Sequence, residues 1–222
     1  MIRPGAQWGV PATGAAALAG RGGDAELAAL AASTPGALVH FVPDGRCDLA
    51  RAIGLTTQAP ATWELPIDAI DVHIGEGDGK GDRIAVNMVV LGTRPDRVRR
   101  WTRSQSFTVH VDDRVVFDGP ATSVVVANGQ FLAGLDLVPR GHPGDGRLEV
   151  QVYAVGPGER AAMRRRLATG THVPHPGITS VSGRRIRVRT ARPAPGEIDS
   201  VADAPSDDWS LEVRPGALRV LV

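Results

Sequence analysis

Two histidines are candidates for metal chemistry, because His172 and His175 lie three positions apart. Imidazole nitrogens at this spacing can share a transition-metal ion. Pro174 interrupts the pair, and no third ligand follows nearby in the sequence. The sequence therefore favours packing or hydrogen bonding of these histidines at the start of a strand, with metal binding as the alternative.

Arginines and tryptophans offer a second kind of chemistry, the recognition of lipid. Trp63 and Trp101 could line an acyl groove. Two arginine-rich segments could together form a basic face toward anionic headgroups; their arginines are Arg97, Arg99, Arg100, Arg160, Arg164, Arg165 and Arg166. Tryptophans of the core and arginines in solvent explain the same residues, so both interpretations stay open.

Composition narrows the range of partners and compartments. The 222 residues carry 25 Lys and Arg against 24 Asp and Glu, a formal charge of +1, so no global field favours nucleic acid. Cys47 is the single cysteine, which excludes an intramolecular disulfide and fits a cytoplasmic protein. No apolar stretch approaches about 18 residues, so we expect neither a membrane span nor a signal peptide.

Residues 1–55 predict a small α/β unit that could position such side chains. Residues 24–32 have strong helix propensity and predict a helix that begins at Asp24. The Ser-Thr-Pro-Gly sequence that follows ends this helix. Residues 37–42 then predict a short apolar strand. Asp48–Ile53 predicts a second helix, which Gly54 closes. This fragment is too small to be a complete nucleotide-binding domain.

From about residue 56 the apolar residues recur with a period of two, which predicts strands. Short strands between Gly, Pro and Asp clusters favour an antiparallel sandwich over residues 56–222, and hence an α+β fold. One helical segment, residues 159–167, interrupts it, and residues 75–82 form a glycine-rich loop. The expected strands cover residues 84–91, 106–111, 114–117, 122–127, 147–155, 185–190, 209–213 and 217–222.

Several motifs follow one another over most of the chain. Residues 127–148 read ANGQFLAGLDLVPRGHPGDGRL, residues 22–24 read GGD before the first helix, and residues 170–178 read GTHVPHPGI. In this order they resemble the bacterial diacylglycerol kinase-like lipid kinases, which carry V-x-N-G with a later D-G-x-L, G-G-D-G-T and G-x-H-x-x-x-P-x-V. The resemblance implies a truncated α/β nucleotide-binding lobe followed by an antiparallel β-sandwich domain.

The resemblance also implies a nucleotide site in the first lobe. Gly22, Gly23 and Asp24 match the loop that receives the nucleotide phosphates through its backbone amides. Asp48 matches an aspartate of the family's second nucleotide-binding segment. ATP is therefore the implied cofactor.

In the sandwich the resemblance implies residues for metal binding and proton transfer. Asp145 matches one aspartate of the family's metal segment, which makes Mg²⁺ the implied metal. Asp199 falls near the family's general-base site, where a lipid hydroxyl would be deprotonated. Asn87 occupies the place of an asparagine that follows the first sandwich strands, before a helical segment that is cut here to residues 94–101.

This chain departs from the family pattern in the segments that carry the chemistry. Ala25 and Glu26 replace Gly-Thr after the phosphate loop, which places a carboxylate at a helix start where it would repel an anion. Gly144 replaces the first aspartate of the metal segment, and the segment at Asp199 lacks the family's glutamate. An Asp-Gly turn explains Asp145, and an exposed loop position explains Asp199, without any chemistry.

Two functions remain open at this point. The first is ATP-dependent phosphorylation of a lipid hydroxyl. The second is a catalytically silent relative whose sandwich persists as a lipid- or protein-binding module. Peripheral contact with a membrane fits both functions. A third possibility is a homodimer in which two truncated chains complete one site.

Overall fold

The structure, a computed structural model, describes residues 8–55, 62–75 and 81–222. Nearly half of these residues belong to one large, mainly antiparallel sheet. Residues 76–80, most of the predicted glycine-rich loop, lie outside the described residues. The prediction of an α+β fold with a β-sandwich is confirmed.

The N-terminal lobe contains both predicted helices. Its elements are β1 (Val10–Pro11), β2 (Leu18–Gly22), α1 (Asp24–Ser33), β3 (Leu38–Pro43) and α2 (Asp48–Ile53). Helix α2 ends as expected at Gly54, which adopts the left-handed conformation with φ of 70°. Strand β2 was not predicted from the sequence. It pairs in parallel with β3.

The remaining elements are almost all strands. They are β4 (Trp63–Ile74), β5 (Arg83–Ala85), β6 (Met88–Gly92), β7 (Gln105–Val111), β8 (Arg114–Ala121), β9 (Ser123–Ala127), β10 (Phe131–Leu132), β11 (Leu135–Asp136), β12 (Leu148–Tyr153), α3 (Arg160–Arg166), β13 (Ile178–Gly183), β14 (Arg185–Ile198) and β15 (Val201–Leu221). Short 3₁₀ turns occur at Pro95–Arg97 and Leu167–Thr169.

Several predicted elements differ from those observed. The apolar run at residues 84–91 is divided into β5 and β6 by a turn at Val86 and Asn87. The strand predicted at residues 185–190 continues to Ile198. The two predicted C-terminal strands form one long strand, β15, whose register shifts between Arg214 and Leu218, where Gly216 has a positive φ.

The sheet closes into a sandwich around one hydrophobic cluster. Its main path runs β1-β4-β15-β14-β6-β9-β12-β13. Buried residues from distant points of this path pack together, including Val72 of β4, Val126 of β9, Val150 of β12 and Trp209 of β15. Because the hydrophobic side chains of both layers fill one interior, the layers stabilise each other.

The N-terminal lobe is joined to the sandwich by pairing and by packing. Strand β3 pairs in parallel with β15 through Leu38 and Val39. A second cluster combines Leu27 of α1 and Leu49 of α2 with Ile67 of β4 and Leu218 of β15. The helices are therefore held against the end of the sandwich where β5 and β6 meet. The division of the chain at residue 55 stays a prediction.

None of the helices among the described residues is long and apolar enough to cross a bilayer. The cytoplasmic location stays a prediction.

Candidate functional site

Asp199 lies at the hairpin turn between β14 and β15, and its side chain points into the protein. Asp199 and Ser200 both have positive φ, 46° and 67°, as the tight turn between two long strands requires. The side chain is only 5% exposed. The expectation of an exposed loop aspartate is therefore wrong, because β14 continues to Ile198 and places the next residue inside.

Three backbone amides surround the Asp199 carboxylate. Oδ2 accepts the N–H of Val86 at 2.8 Å, and Oδ1 accepts those of Asn87 and Met88 at 3.0 and 2.9 Å. Burial, and then the charge of Asp24, raise the pKa of Asp199 to about 7, while the three amides oppose this shift. Asp199 thus holds the turn between β5 and β6 and retains a carboxyl that titrates near neutral pH.

Asp24 is the first residue of α1 and is also buried. Its carboxylate accepts the N–H of Leu49 at 3.0 Å and that of Asp48 at 3.3 Å, at the start of α2. It also accepts a hydrogen bond of 2.7 Å from Asn87 Nδ2. Burial is the main reason why the pKa of Asp24 rises to about 6. Asp24 therefore fastens both helices to the sandwich.

Asn87 connects the two aspartates. Its backbone N–H reaches Asp199, and its side-chain Nδ2 reaches both Asp24 and the carbonyl of Phe131, the latter at 3.1 Å. Its Oδ1 is buried without a hydrogen-bond partner. We call Asp24, Asn87 and Asp199 the acidic cluster. Residues that are far apart in the chain thus converge where the N-terminal lobe meets the sandwich.

Glu26 occupies the helix start that the sequence assigns to phosphate. The N–H of Gly23 donates to Glu26 Oε2 at 2.8 Å. Gly22 has φ of 144°, and a Cβ built there would lie 2.7 Å from Glu26 Cγ. The carboxylate of Glu26 therefore fills the space beside both glycines and satisfies the Gly23 amide.

A family model described as the YegS C-terminal NAD kinase β-sandwich-like domain matches residues 93–222, more than half of the chain. The chain belongs to the diacylglycerol kinase-like (YegS) family. No curated protein sequence shows significant similarity to it.

Solved structures of diacylglycerol kinase-like proteins share the fold of this family member. A diacylglycerol kinase from Bacillus anthracis superposes with a TM-score of 0.70 at 19% identity, covering 92% of this chain and 75% of its own. A candidate diacylglycerol kinase from the same organism gives 0.72 at 16%, with 92% and 77% coverage. Yeast NADH kinase complexed with NADH gives 0.55 at 10%, with 92% and 61% coverage.

Asp48 has a structural role in this family member. Its carboxylate accepts the N–H groups of Ala133 and Gly134, which form the turn between β10 and β11. Arg51 of the same helix donates to the Gly134 carbonyl at 2.8 Å. Helix α2 therefore holds this turn through its polar residues. Nucleotide binding by Gly22, Gly23, Asp24 and Asp48 stays a prediction.

Asp145 forms no hydrogen bond with the acidic cluster within the part of the chain that the structure describes. It closes its own turn by accepting the N–H of Arg147 at 2.9 Å. Its charge contributes to the raised pKa values of Asp68 and Glu149, for which burial is the larger cause. Within residues 8–55, 62–75 and 81–222, no group of three or more His, Cys, Asp or Glu residues is arranged to hold a metal ion. The metal role of Asp145 stays a prediction.

His172 and His175 make separate contacts. His172 is buried, and its Nε2 lies 3.2 Å from Tyr153 Oη and 3.4 Å from Gln151 Oε1. His175 Nδ1 accepts the N–H of Gly177 at 2.9 Å, just before β13. These contacts agree with the packing and hydrogen-bonding interpretation of the pair.

A cleft of about 780 Å³ lies beside β12 and β13. Its apolar walls come from Pro139, Val173, Pro174, Pro176 and Ile178. The sequence analysis did not identify this cleft, because its two walls come from loops that are 30 or more residues apart in the chain.

The floor of the cleft is polar. Glu149 and Gln151 lie two residues apart on β12, and Ser180 of β13 pairs directly with Gln151. Burial raises the pKa of the Glu149 carboxyl. The Tyr153 hydroxyl donates to Gln151 Oε1 at 2.6 Å, which leaves the amide nitrogen of Gln151 available to the cleft. The cleft therefore combines apolar walls with hydrogen-bonding groups beneath them.

Two buried polar residues outside the predicted site connect segments within the sandwich. Asn128 Nδ2 donates to the carbonyls of Asp68 and Val86, at 2.8 Å each. The Asp68 carboxylate accepts the N–H groups of Gly146 and Gly216, at 2.7 and 2.8 Å. The sequence signal for Asn128 was its place in the A-N-G segment after an apolar strand, whereas Asp68 stands in an apolar strand without any motif.

Proposed function

We propose that this chain is a lipid-binding member of the diacylglycerol kinase-like family that does not transfer phosphate. The observation that carries this proposal is the hydrogen bond of 2.8 Å from the Gly23 amide to Glu26. It fills, with the protein's own carboxylate, the helix start at which nucleotide phosphates would bind.

Electrostatics supports this proposal. The amides at the start of a helix attract an anion, and Glu26 is already such an anion in that position. A phosphate that approached would meet a like charge and would have to break the bond from Gly23. Gly22 is explained by the close contact with Glu26 and does not require a nucleotide. The residues present therefore do not fit the phosphates of ATP as they are arranged.

Arg46, which lies beside Glu26, is also engaged. Arg46 forms two hydrogen bonds with the Asp44 carboxylate, at 3.1 and 2.8 Å, and lies 3.9 Å from Glu26. This guanidinium thus balances two protein carboxylates instead of presenting a free charge. Side-chain ion pairs in solvent are weak, so the arrangement reduces the attraction for phosphate without fixing Arg46 rigidly.

The cleft beside β12 and β13 supports the lipid-binding part of the proposal. Its volume of about 780 Å³ falls in the range of small-molecule sites. Acyl chains would contact the proline and valine walls. A hydroxyl of the lipid would donate to Glu149, and an ester carbonyl would accept from the amide nitrogen of Gln151.

Thermal-shift titration tests the closed phosphate site. Wild type with Mg²⁺ and millimolar ATP should show no rise in melting temperature, because a ligand stabilises only a fold that binds it. Glu26→Ala, which uncovers the Gly23 amide, should bind tripolyphosphate more tightly than wild type. Glu212→Ala, at an exposed glutamate of β15, is the matched control. If Glu26→Ala binds no better than the control, Glu26 does not close the site.

Binding of dioctanoylglycerol tests the cleft. Ser180→Trp adds a bulky ring to the cleft floor from an exposed position and should abolish binding. Ser210→Trp places the same ring on an exposed position of β15 and should leave binding unchanged. Equal binding by both variants would contradict a lipid site in this cleft.

A second candidate function is phosphorylation of a lipid hydroxyl with Asp199 as the general base. The observation that favours it is the pKa of Asp199, about 7, which suits proton transfer near neutral pH. Asp199 also lines a cavity of about 360 Å³. Alanines of α1, Arg83 and Asp203 line the same cavity. Lipid-dependent phosphate transfer by wild type that disappears in Asp199→Asn would establish this candidate and refute the first.

A further inference from the structure

Trp101 is unusually exposed for a tryptophan. Its side chain is 81% accessible to solvent, whereas Trp209 is fully buried. Trp101 lies in the segment from Arg94 to Ser104, which we call the 94–104 loop and which connects β6 to β7. Tryptophan is enriched at protein interfaces and at membrane surfaces, so its exposure at this position, among basic residues, points to a partner.

The residues around Trp101 are basic. Arg99, Arg100 and Arg103 are exposed, and none of them forms an ion pair with another described residue. Arg97, also exposed, lies 3.7 Å from Glu197. The acidic residues of this region, Asp96 and Glu197, are both bound to the buried Arg94. The outer face of the loop therefore carries an indole ring among uncompensated positive charges.

The backbone of the 94–104 loop is held from below by Arg160 of α3. This guanidinium is only 4% exposed and donates to the carbonyls of Arg99, Arg100 and Thr102, at 3.2, 3.1 and 2.6 Å. It also donates to Ser104 Oγ and to the carbonyl of Val155. Because Arg160 binds the carbonyls on the inner side, the side chains at positions 99–101 remain exposed on the outer side.

We infer that Trp101, together with Arg99, Arg100 and Arg103, forms a docking surface for an anionic lipid bilayer. Tryptophan is favoured at the boundary between headgroups and acyl chains, where its ring is desolvated and its N–H finds acceptors. Arginines beside it would contact the negative headgroups. A soluble polyanion would satisfy the arginines but would leave the indole in water. This inference does not depend on phosphate transfer or on a lipid in the cleft.

Vesicle partitioning without ATP tests the inference. Wild type should bind vesicles of phosphatidylcholine with phosphatidylglycerol, and added salt should weaken this binding. Arg99→Gln/Arg100→Gln should lower the partition coefficient by about thirtyfold. Trp101→Ala should lower it by about tenfold. Arg114→Gln/Val115→Ala removes an exposed Arg and an exposed apolar residue at the other end of the β7–β8 hairpin, and should have no effect.

Quenching by brominated lipid shows whether Trp101 itself enters the interface. We expect quenching in wild type and its loss in Trp101→Phe, which keeps an aromatic ring for binding. Failure of wild type to bind anionic vesicles at low salt would overturn the inference. So would equal binding by the Arg99/Arg100 variant and the Arg114/Val115 control, or unchanged quenching in Trp101→Phe. Loss of dioctanoylglycerol binding in Ser180→Trp, with vesicle binding intact, would separate this surface from the cleft.

Discussion

Three amide N–H groups converge on the Asp199 carboxylate and explain how a charge is tolerated in the interior. The same contacts hold the turn at Val86 and Asn87, which brings Asn87 to Asp24. A carboxylate that binds amides in this way stabilises the backbone whether or not it ever accepts a proton from a substrate.

Replacing Asp199 should therefore destabilise the protein. Asp199→Asn keeps the shape but places an NH₂ group against one of the three amides, leaving a buried donor unsatisfied. We expect the free energy of unfolding to fall by about 2 kcal/mol. Urea denaturation measures this change, with Asp207→Asn at an exposed carboxylate as the control. Unchanged stability would contradict the structural role of Asp199.

The acidic cluster should also make stability depend on pH. Burial raises the pKa of Asp24 to about 6, above its ordinary value of about 4 in an unfolded chain. Between these values the folded state binds more protons than the unfolded state, so the contribution of Asp24 to stability falls as pH rises from about 4 to about 7.

Chemical denaturation across this pH range in wild type and Asp24→Asn measures the effect. The pKa of buried His172 is lowered, so His172 acts in the opposite direction below about pH 6.5. The informative quantity is therefore the difference between the two proteins. We expect the difference in unfolding free energy to change with pH for Asp24→Asn and to stay constant for Asp207→Asn. A constant difference for both would contradict the raised pKa of Asp24.

At the scale of elements, helix α2 and the β10–β11 turn depend on each other. Ala133 has φ of 50°, in the left-handed region that a residue with a Cβ seldom adopts. The bonds from Ala133 and Gly134 to Asp48 keep the turn in this conformation. Strand β10, which leads into this turn, presents the Phe131 carbonyl to Asn87.

Removing the Asp48 carboxylate should release this turn. We expect Asp48→Ala to lower the free energy of unfolding by about 2 kcal/mol. Amide hydrogen exchange should also accelerate at residues 131–136, and less elsewhere. Normal exchange in this segment would contradict the role assigned to Asp48, even if overall stability fell.

The apolar periodicity of the sequence predicts most of these strands. It fails where contacts between residues far apart in the chain determine where a strand begins or ends. Asn87 is the only polar residue in the apolar run at residues 84–91, and the division into two strands there is held by the amide contacts to Asp199. Pro195 and Gly196 suggest a loop, yet β14 continues through them because it pairs with β6 and β15. The charge of Glu26 at a helix start was visible in the sequence, but its contact with Gly23 depends on the backbone geometry of Gly22.

At the scale of the whole molecule, the N-terminal lobe and the sandwich share a hydrophobic cluster and a strand pairing. The cluster includes Leu27 and Leu49 from the lobe and Ile67 and Leu218 from the sandwich. The predicted homodimer is not needed to explain this cluster, and it stays a prediction.

We expect the lobe and the sandwich to unfold together. Separating the lobe from the sandwich would expose the apolar faces of both to water. Each unit would lose stability without the other, so neither should stay folded alone. Calorimetry should show one transition, with equal calorimetric and van't Hoff enthalpies. Two resolved transitions would show instead that residues 1–55 unfold on their own.

Closure of the phosphate site by Glu26 is the feature that decides the function proposed for this family member. The most direct measurement is the melting temperature of the wild-type protein in the presence of Mg²⁺ and increasing ATP, up to millimolar concentrations. We expect the melting temperature to stay unchanged. A rise that saturates with ATP would contradict it, because only a site that binds nucleotide can stabilise the fold in this way.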